Sequence, residues 1–287
     1  MTADRHVLAA ARTIRRPPPG QFHVEQVMGT AVSFDVRDDL DASALNEAID
    51  WLHDVDSLFS TYSDVSMITR FARGELRVEA LDPLVHEVLD LCALIEFETD
   101  GAFDIHVPAP NGTSLEPSGL VKGWSIERAA EILERHGAQN FMINGGGDIA
   151  VRGHLAEGQK WRVGVRHPEV AHKFAAVLDV AGPLAIATSA LYERGPHIID
   201  PRSGRPAEGL LSATVLGPDL TYADAYATAL FVMGLDGMTW LMQDHPGYGA
   251  LVVTDERRTY STPLFDHYRT VQVDQDESEA APARRCT

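Results

Sequence analysis

In the run TYADAYATALFVMG (221–234), Asp224 and Thr228 carry oxygen donors four positions apart. On a helix that spacing puts them on one face. A carboxylate and a hydroxyl together suit a hard cation such as Mg2+. The same run also reads as a capping box, Thr221 with Asp224, a reading that leaves Thr228 unexplained. Upstream, PHIIDPRSGRP (196–206) sets His197 ahead of two β-branched residues and an Asp-Pro-Arg-Ser-Gly turn. Its imidazole is either a general base or a structural group at a strand end, with Asp200 and Ser203 forming the turn. In SGLVKGWSIERAAEIL (118–133), Lys122 stands between glycines just ahead of a helix start. Backbone N–H groups and an ammonium there can hold phosphate oxygens, although no Walker loop is present. NGGGD (144–148) is a glycine hairpin turn or a place where a ligand meets bare backbone; its glycines do not follow the GxGxxG order. FSTYSDVSMITRF (59–71) offers an aromatic face at Tyr62 among hydroxyls.

These residues need a frame, and the hydrophobic pattern supplies one. Residues 23–37 alternate as a strand or the start of a hairpin. Leu45, Ile49, Leu52, Val55 and Phe59 recur at helical spacing, which predicts a helix over 42–59, and another is expected over 83–97. Ser125 is the expected N-cap of a helix over 126–136 that stops at Gly137. Residues 140–153 read as strand, glycine turn, strand; 161–167 and 174–181 as an antiparallel pair; 210–217 as a strand. A helix from Thr221 to Met233 ends on Gly234, and LVVTDE and TYSTP follow as strands. The mixed order predicts an α+β fold with largely antiparallel sheets and flanking helices. It also predicts a flexible N-terminal arm over 1–22, a single domain over 23–270 and a disordered, polar tail over 271–287.

Composition narrows the function. The chain has 287 residues, of which 45% are hydrophobic and 23% charged, and its formal charge is −18. An acidic surface repels nucleic-acid phosphates, so no nucleic-acid partner is expected, and any phosphate site must be local. Two cysteines, Cys92 and Cys286, make neither a disulfide framework nor a thiolate metal site. No apolar run is long enough for a membrane span, and no secretory signal is evident, so the cytoplasm is the expected location.

Each signal is modest alone, but their order is distinctive. MGT (28–30), STY (60–62), DGAFD (100–104), GLVKGWSIERAAEIL (119–133) and NGGGDI (144–149) come first. ATS (187–189), YER (192–194), HIIDPRSGRP (197–206) and ADAYATALFVMG (223–234) follow. In this order, over roughly residues 25–265, the chain resembles the ApbE family, the FAD:protein FMN transferases. The resemblance implies an ApbE-like fold, Mg2+, and FAD as substrate. It implies transfer of the FMN moiety to a Thr or Ser hydroxyl of an acceptor protein, with release of AMP. By position, Asp224, Thr228 and the carbonyl of Gly119 match metal ligands, and His197 matches the base that activates the acceptor hydroxyl. Asp224 is thereby expected in the catalytic centre as well. Met28, Tyr62, Ala102, Phe103, Asp104, Glu116, Lys122 and Ile199 match contacts to the dinucleotide. The run from Asp104 to Lys122 is shorter than is usual in the family, and Glu116 stands where Asp is usual. Two other activities fit the same residues: hydrolysis of FAD to FMN and AMP, and flavin binding without catalysis.

Overall fold

The structure, a computed structural model, describes residues 20–109, 112–191 and 198–272. In chain order its elements are β1 (Gln21–Val27), β2 (Thr30–Val36), α1 (Ala42–Phe59), α2 (Met67–Ala72) and α3 (Pro83–Glu98). Next come β3 (His106–Ala109), β4 (Gly112–Leu115), α4 (Ser118–Arg135), β5 (Phe141–Gly145) and β6 (Asp148–Arg152). They are followed by β7 (Trp161–Arg166), β8 (Phe174–Val180), β9 (Leu184–Ala190), β10 (Ile199–Asp200) and β11 (Arg205–Pro206). The last are β12 (Leu210–Gly217), α5 (Leu220–Met233), α6 (Asp236–Asp244), β13 (Gly249–Thr254), β14 (Thr259–Ser261), α7 (Pro263–Tyr268) and β15 (Arg269–Gln272).

An eight-stranded sheet in the order β1-β2-β5-β6-β9-β12-β13-β14 forms the backbone of the fold. Every neighbouring pair in it is antiparallel. Its central strands feed two cores, because successive side chains on a strand point to opposite faces. Ala150, Ala185, Ala187, Ala213, Val215, Ala250 and Val252 join the core shared with the helices. Ile149, Val151, Leu184, Ile186, Leu216 and Leu251 join the core shared with the three-stranded sheet β15-β8-β7. The central sheet therefore lies between helices on one face and a small sheet on the other. The alanines on the helical side let α5 approach β9 and β12 closely. That helix is buried over most of its circumference, as a central helix should be.

The largely antiparallel α+β architecture agrees with the sequence reading. So do the helices at 42–59 and 83–98, the 210–217 strand and the glycine-turn hairpin of β5 and β6. Two local expectations are corrected. The helix expected over 126–136 begins at Ser118, so Ser125 is not its N-cap. Ser125 sits inside α4, where its hydroxyl donates to the Lys122 carbonyl at 2.8 Å. Lys122 consequently belongs to the helix and not to a loop before it. The capping box of Thr221 with Asp224 is absent as well. α5 starts at Leu220, and Asp219 caps it by accepting the Thr221 N–H at 2.7 Å. Strand β9, the β3–β4 hairpin, α6 and α7 have no clear signature in the pattern. LAIATSA, the sequence of β9, is an uncharged run of small and apolar residues in which the only polar pair, Thr188 and Ser189, is adjacent, so it shows neither strand nor helix period.

Candidate functional site

The site is assembled where α4 crosses α5. Gly119 and Gly123 are four apart on α4, just as Asp224 and Thr228 are on α5, and the two pairs face each other. A methyl placed on Gly119 would sit 3.4 Å from Thr228 Oγ1. One on Gly123 would sit 2.6 Å from Asp224 Cβ and 2.5 Å from the Leu220 carbonyl oxygen. At position 123 only glycine admits that approach. The Gly123 N–H, which a regular α-helix would aim at the Gly119 carbonyl, reaches Asp224 Oδ2 at 2.9 Å. Asp224 is 4% exposed, so this hydrogen bond fixes a buried carboxylate beside the first turn of α4. Thr228 Oγ1 is 3.0 Å from Ser189 Oγ, a residue of β9. A carboxylate and a hydroxyl thus lie against the Gly119–Gly123 face of α4, both hard oxygen donors of the kind Mg2+ takes.

Beside this group lies a cavity of about 480 Å3, within the range of small-molecule sites. It is lined by Met28, Tyr62, Ala102, Phe103, Asp104, Glu116, Gly119, Lys122, Ile199, Asp224 and Thr228, which is every expected site residue except one. His197 lies outside the described residues; its neighbour Ile198 lines the cavity wall.

Local chemistry explains how each segment reaches the cavity. At the end of α3, Asp100 and Gly101 take positive φ, 49° and 72°, which turns the chain sharply. The buried Thr99 hydroxyl accepts the Phe103 N–H at 3.0 Å and holds Ala102–Asp104 against the pocket. Asp104 Oδ1 accepts the His106 N–H at 2.7 Å and lies 2.9 Å from its Nδ1. Met28 has φ 53°, a left-handed conformation that methionine rarely adopts. It occupies the tight β1–β2 turn, a place where Asn or Gly is usual, and its sulfur lies 3.6 Å from Ser125 Oγ. Tyr62, at 85% exposure, stands at the cavity rim and offers an aromatic face. Glu116 Oε2 accepts the Thr61 hydroxyl at 3.2 Å, while its buried Oε1 has no hydrogen-bond partner among the described residues. An orphaned buried acceptor calls for a donor, such as an N–H of a bound base. The short run from Asp104 to Lys122 is accommodated by the β3–β4 hairpin.

Two contributors were not singled out from sequence. Asp148, 1% exposed and at the end of the NGGGD turn, lies 2.6 Å from Lys122 Nζ and accepts the Thr188 N–H at 3.3 Å. It anchors the ammonium in the partly buried cleft. Gly123 is the second: the Gly-xxx-Gly spacing of residues 119 and 123 was its signal, legible only once a partner helix was known to lie there. The buried thiol of Cys92, pushed up to about 12 by desolvation and by the charges of Asp104 and Glu96, is an inert core group.

The arrangement can hold a divalent cation and phosphate oxygens side by side, against a pocket with an aromatic rim and an unsatisfied acceptor. No helix among the described residues is long and apolar enough to cross a membrane.

Comparison with known proteins points the same way. The chain is 25% identical over 326 aligned positions to an FAD:protein FMN transferase of Salmonella typhimurium, covering 92% of this chain and 93% of that one. It is 36% identical over 129 residues to one from Vibrio cholerae; that stretch is 42% of this chain and only 39% of the relative's length. In solved structures, the fold matches the Vibrio cholerae flavin transferase ApbE with a TM-score of 0.76 at 23% identity, covering 88% of this chain and all of that one. It matches an ApbE protein of Thermotoga maritima with a TM-score of 0.77 at 22% identity, again covering 88% of this chain and all of the other. The ApbE family model matches residues 28–112 and 107–252, two stretches that meet in the β3–β4 hairpin. The chain belongs to the ApbE family.

Proposed function

We propose that this protein is a Mg2+-dependent FAD:protein FMN transferase, moving the FMN moiety of FAD to a Thr or Ser hydroxyl of an acceptor protein. The observation that carries the reading is the convergence of Gly119, Asp224 and Thr228 with Lys122 on one cavity, in a chain of this family.

In the reaction, the acceptor oxygen forms a bond to the FMN phosphorus. The bond from that phosphorus to the bridging oxygen breaks, and AMP leaves with the electron pair. The acceptor proton goes to His197, which matches the family's base. A bound Mg2+ supplies charge neutralisation at the phosphates. The residues of the chain do the positioning. Asp224, fixed by the Gly123 N–H, and Thr228, held by Ser189, would hold the metal together with the Gly119 carbonyl. Lys122, anchored by Asp148, places a positive charge at the cleft. Glu116 and Tyr62 contact the dinucleotide by hydrogen bonding and stacking, and the apolar Ala102–Phe103 wall excludes water.

The test combines the purified chain, FAD, Mg2+ and an acceptor protein of a characterised family member. AMP release matched by covalent flavin on the acceptor is expected. AMP release with FMN left free would replace transfer by hydrolysis. Neither product under any divalent metal would overturn the enzymatic reading.

A further inference from the structure

A second cavity, of about 570 Å3, lies against the first and shares Met28, Gly29, Lys122 and Thr188 with it. One wall is formed by four consecutive residues of β7, Val163–Arg166. Side chains alternate along a strand, so four in a row can line one cavity only if it runs along the strand's edge. β7 is a terminal strand of its sheet, paired with β8 on one side and with no strand on the other among the described residues. An edge of this kind is a template for an added strand. The opposite wall carries the β1–β2 and β5–β6 turns, where Gly29, Gly146 and Gly147 expose bare backbone. The groove therefore suits a polypeptide main chain better than a compact ligand. Its inner end is Lys122 and Thr188. The next residue, Ser189, is the one that touches Thr228. All the residues expected to contact the dinucleotide line the first cavity, and only Met28 and Lys122 of them also reach the second.

We propose that this second cavity receives the acceptor protein. An extended acceptor segment adds to the free edge of β7 and delivers its Thr or Ser hydroxyl past Thr188 to the phosphates. The proposal rests on the transferase reading. It explains how one site takes two substrates at once: the dinucleotide fills one cavity, the acceptor chain enters by the other, and Lys122 stands at their junction. The main-chain pairing supplies affinity, and Arg166 at the groove favours an acidic or neutral segment.

The experiment is thiol protection. Arg166→Cys on the β7 wall and Thr30→Cys on the facing wall are made separately in a Cys286→Ser background. Cys92 stays silent because its thiol is buried and protonated. Maleimide labelling rates are measured alone, with FAD, with AMP, and with an acceptor that the unsubstituted enzyme has been shown to flavinylate. At ten times its Kd the acceptor should slow labelling of both thiols about tenfold, since only about a tenth of the sites stay free. FAD and AMP should leave both rates unchanged. Protection by FAD or AMP alone would assign the cavity to the dinucleotide and overturn the proposal. Unchanged labelling with a saturating acceptor would also overturn it. Failure of the unsubstituted enzyme to flavinylate any acceptor is a different result, which falls on the transferase reading itself.

Discussion

Gly123→Ala tests the crossing of α4 and α5 directly. The added methyl would lie 2.5 Å from the Leu220 carbonyl oxygen and 2.6 Å from Asp224 Cβ. Neither atom is the loose end of a flexible side chain, so the helices must separate. Overpacking of this kind costs about 1–3 kcal/mol, and alanine's better helix propensity returns about 1 kcal/mol. The net is a loss of up to about 2 kcal/mol. For a chain of this size that corresponds to a fall in Tm of up to about 4 °C. The functional effect should exceed the structural one, because the atoms displaced belong to Asp224. Separation of the helices weakens the hydrogen bond from Gly123 N to Asp224 Oδ2 and moves the carboxylate away from Gly119 and Thr228. The Mg2+ concentration for half-maximal AMP release should rise at least about tenfold, which is 1.4 kcal/mol of lost affinity. Thermal unfolding and AMP release titrated with Mg2+ measure both quantities. An unchanged Tm with an unchanged Mg2+ requirement would refute the close-packed glycine face. A lowered Tm with an unchanged Mg2+ requirement would refute Asp224 as a metal ligand.

Asp224→Asn keeps an acceptor for the Gly123 N–H and should change stability by less than about 1 kcal/mol while abolishing Mg2+-dependent AMP release; isothermal titration with Mg2+ checks the lost binding. Lys122→Met and Asp148→Asn should show a coupling energy of about 1–2 kcal/mol in a double-mutant cycle on unfolding. That is below the roughly 3–5 kcal/mol of a fully buried pair, because Lys122 is 27% exposed. Cys92 should resist alkylation in the native state and react only on unfolding. Its folded-state pKa is raised from 9.0 to about 12, so the stabilisation is full below pH 9 and is lost as pH rises toward 12. The wild type should therefore lose about 1.4 kcal/mol per pH unit in that window relative to Cys92→Val, as denaturant unfolding can measure.

How far the residues alone specify this protein depends on the range over which each signal acts. The amphipathic run that ends at Phe59, the NGGGD hairpin and the Gly234 stop are short-range features, and all are where the sequence places them. The order of the ApbE motifs along the chain likewise needs no coordinates. Other features are set by distant partners. Asp224 is a candidate ligand by its spacing from Thr228 and by the motif order, but only the fold brings the Gly123 N–H, 101 positions away, onto its carboxylate. The start of α4 is hidden from local pattern because Gly119 and Gly123 look like a loop by propensity, and a packed partner helix overrides propensity. Asp148 carries no signal until the fold sets it beside Lys122. β9 shows no period because its first half, Leu184–Ala187, feeds two cores, one on each face. The edge of β7 exists because the small sheet, among the described residues, ends there. Sequence by itself thus determined the local turns, the helix and strand faces and the family. Tertiary structure decided which carboxylate, hydroxyl and glycines meet, because contacts between residues a hundred positions apart depend on packing that no local pattern encodes.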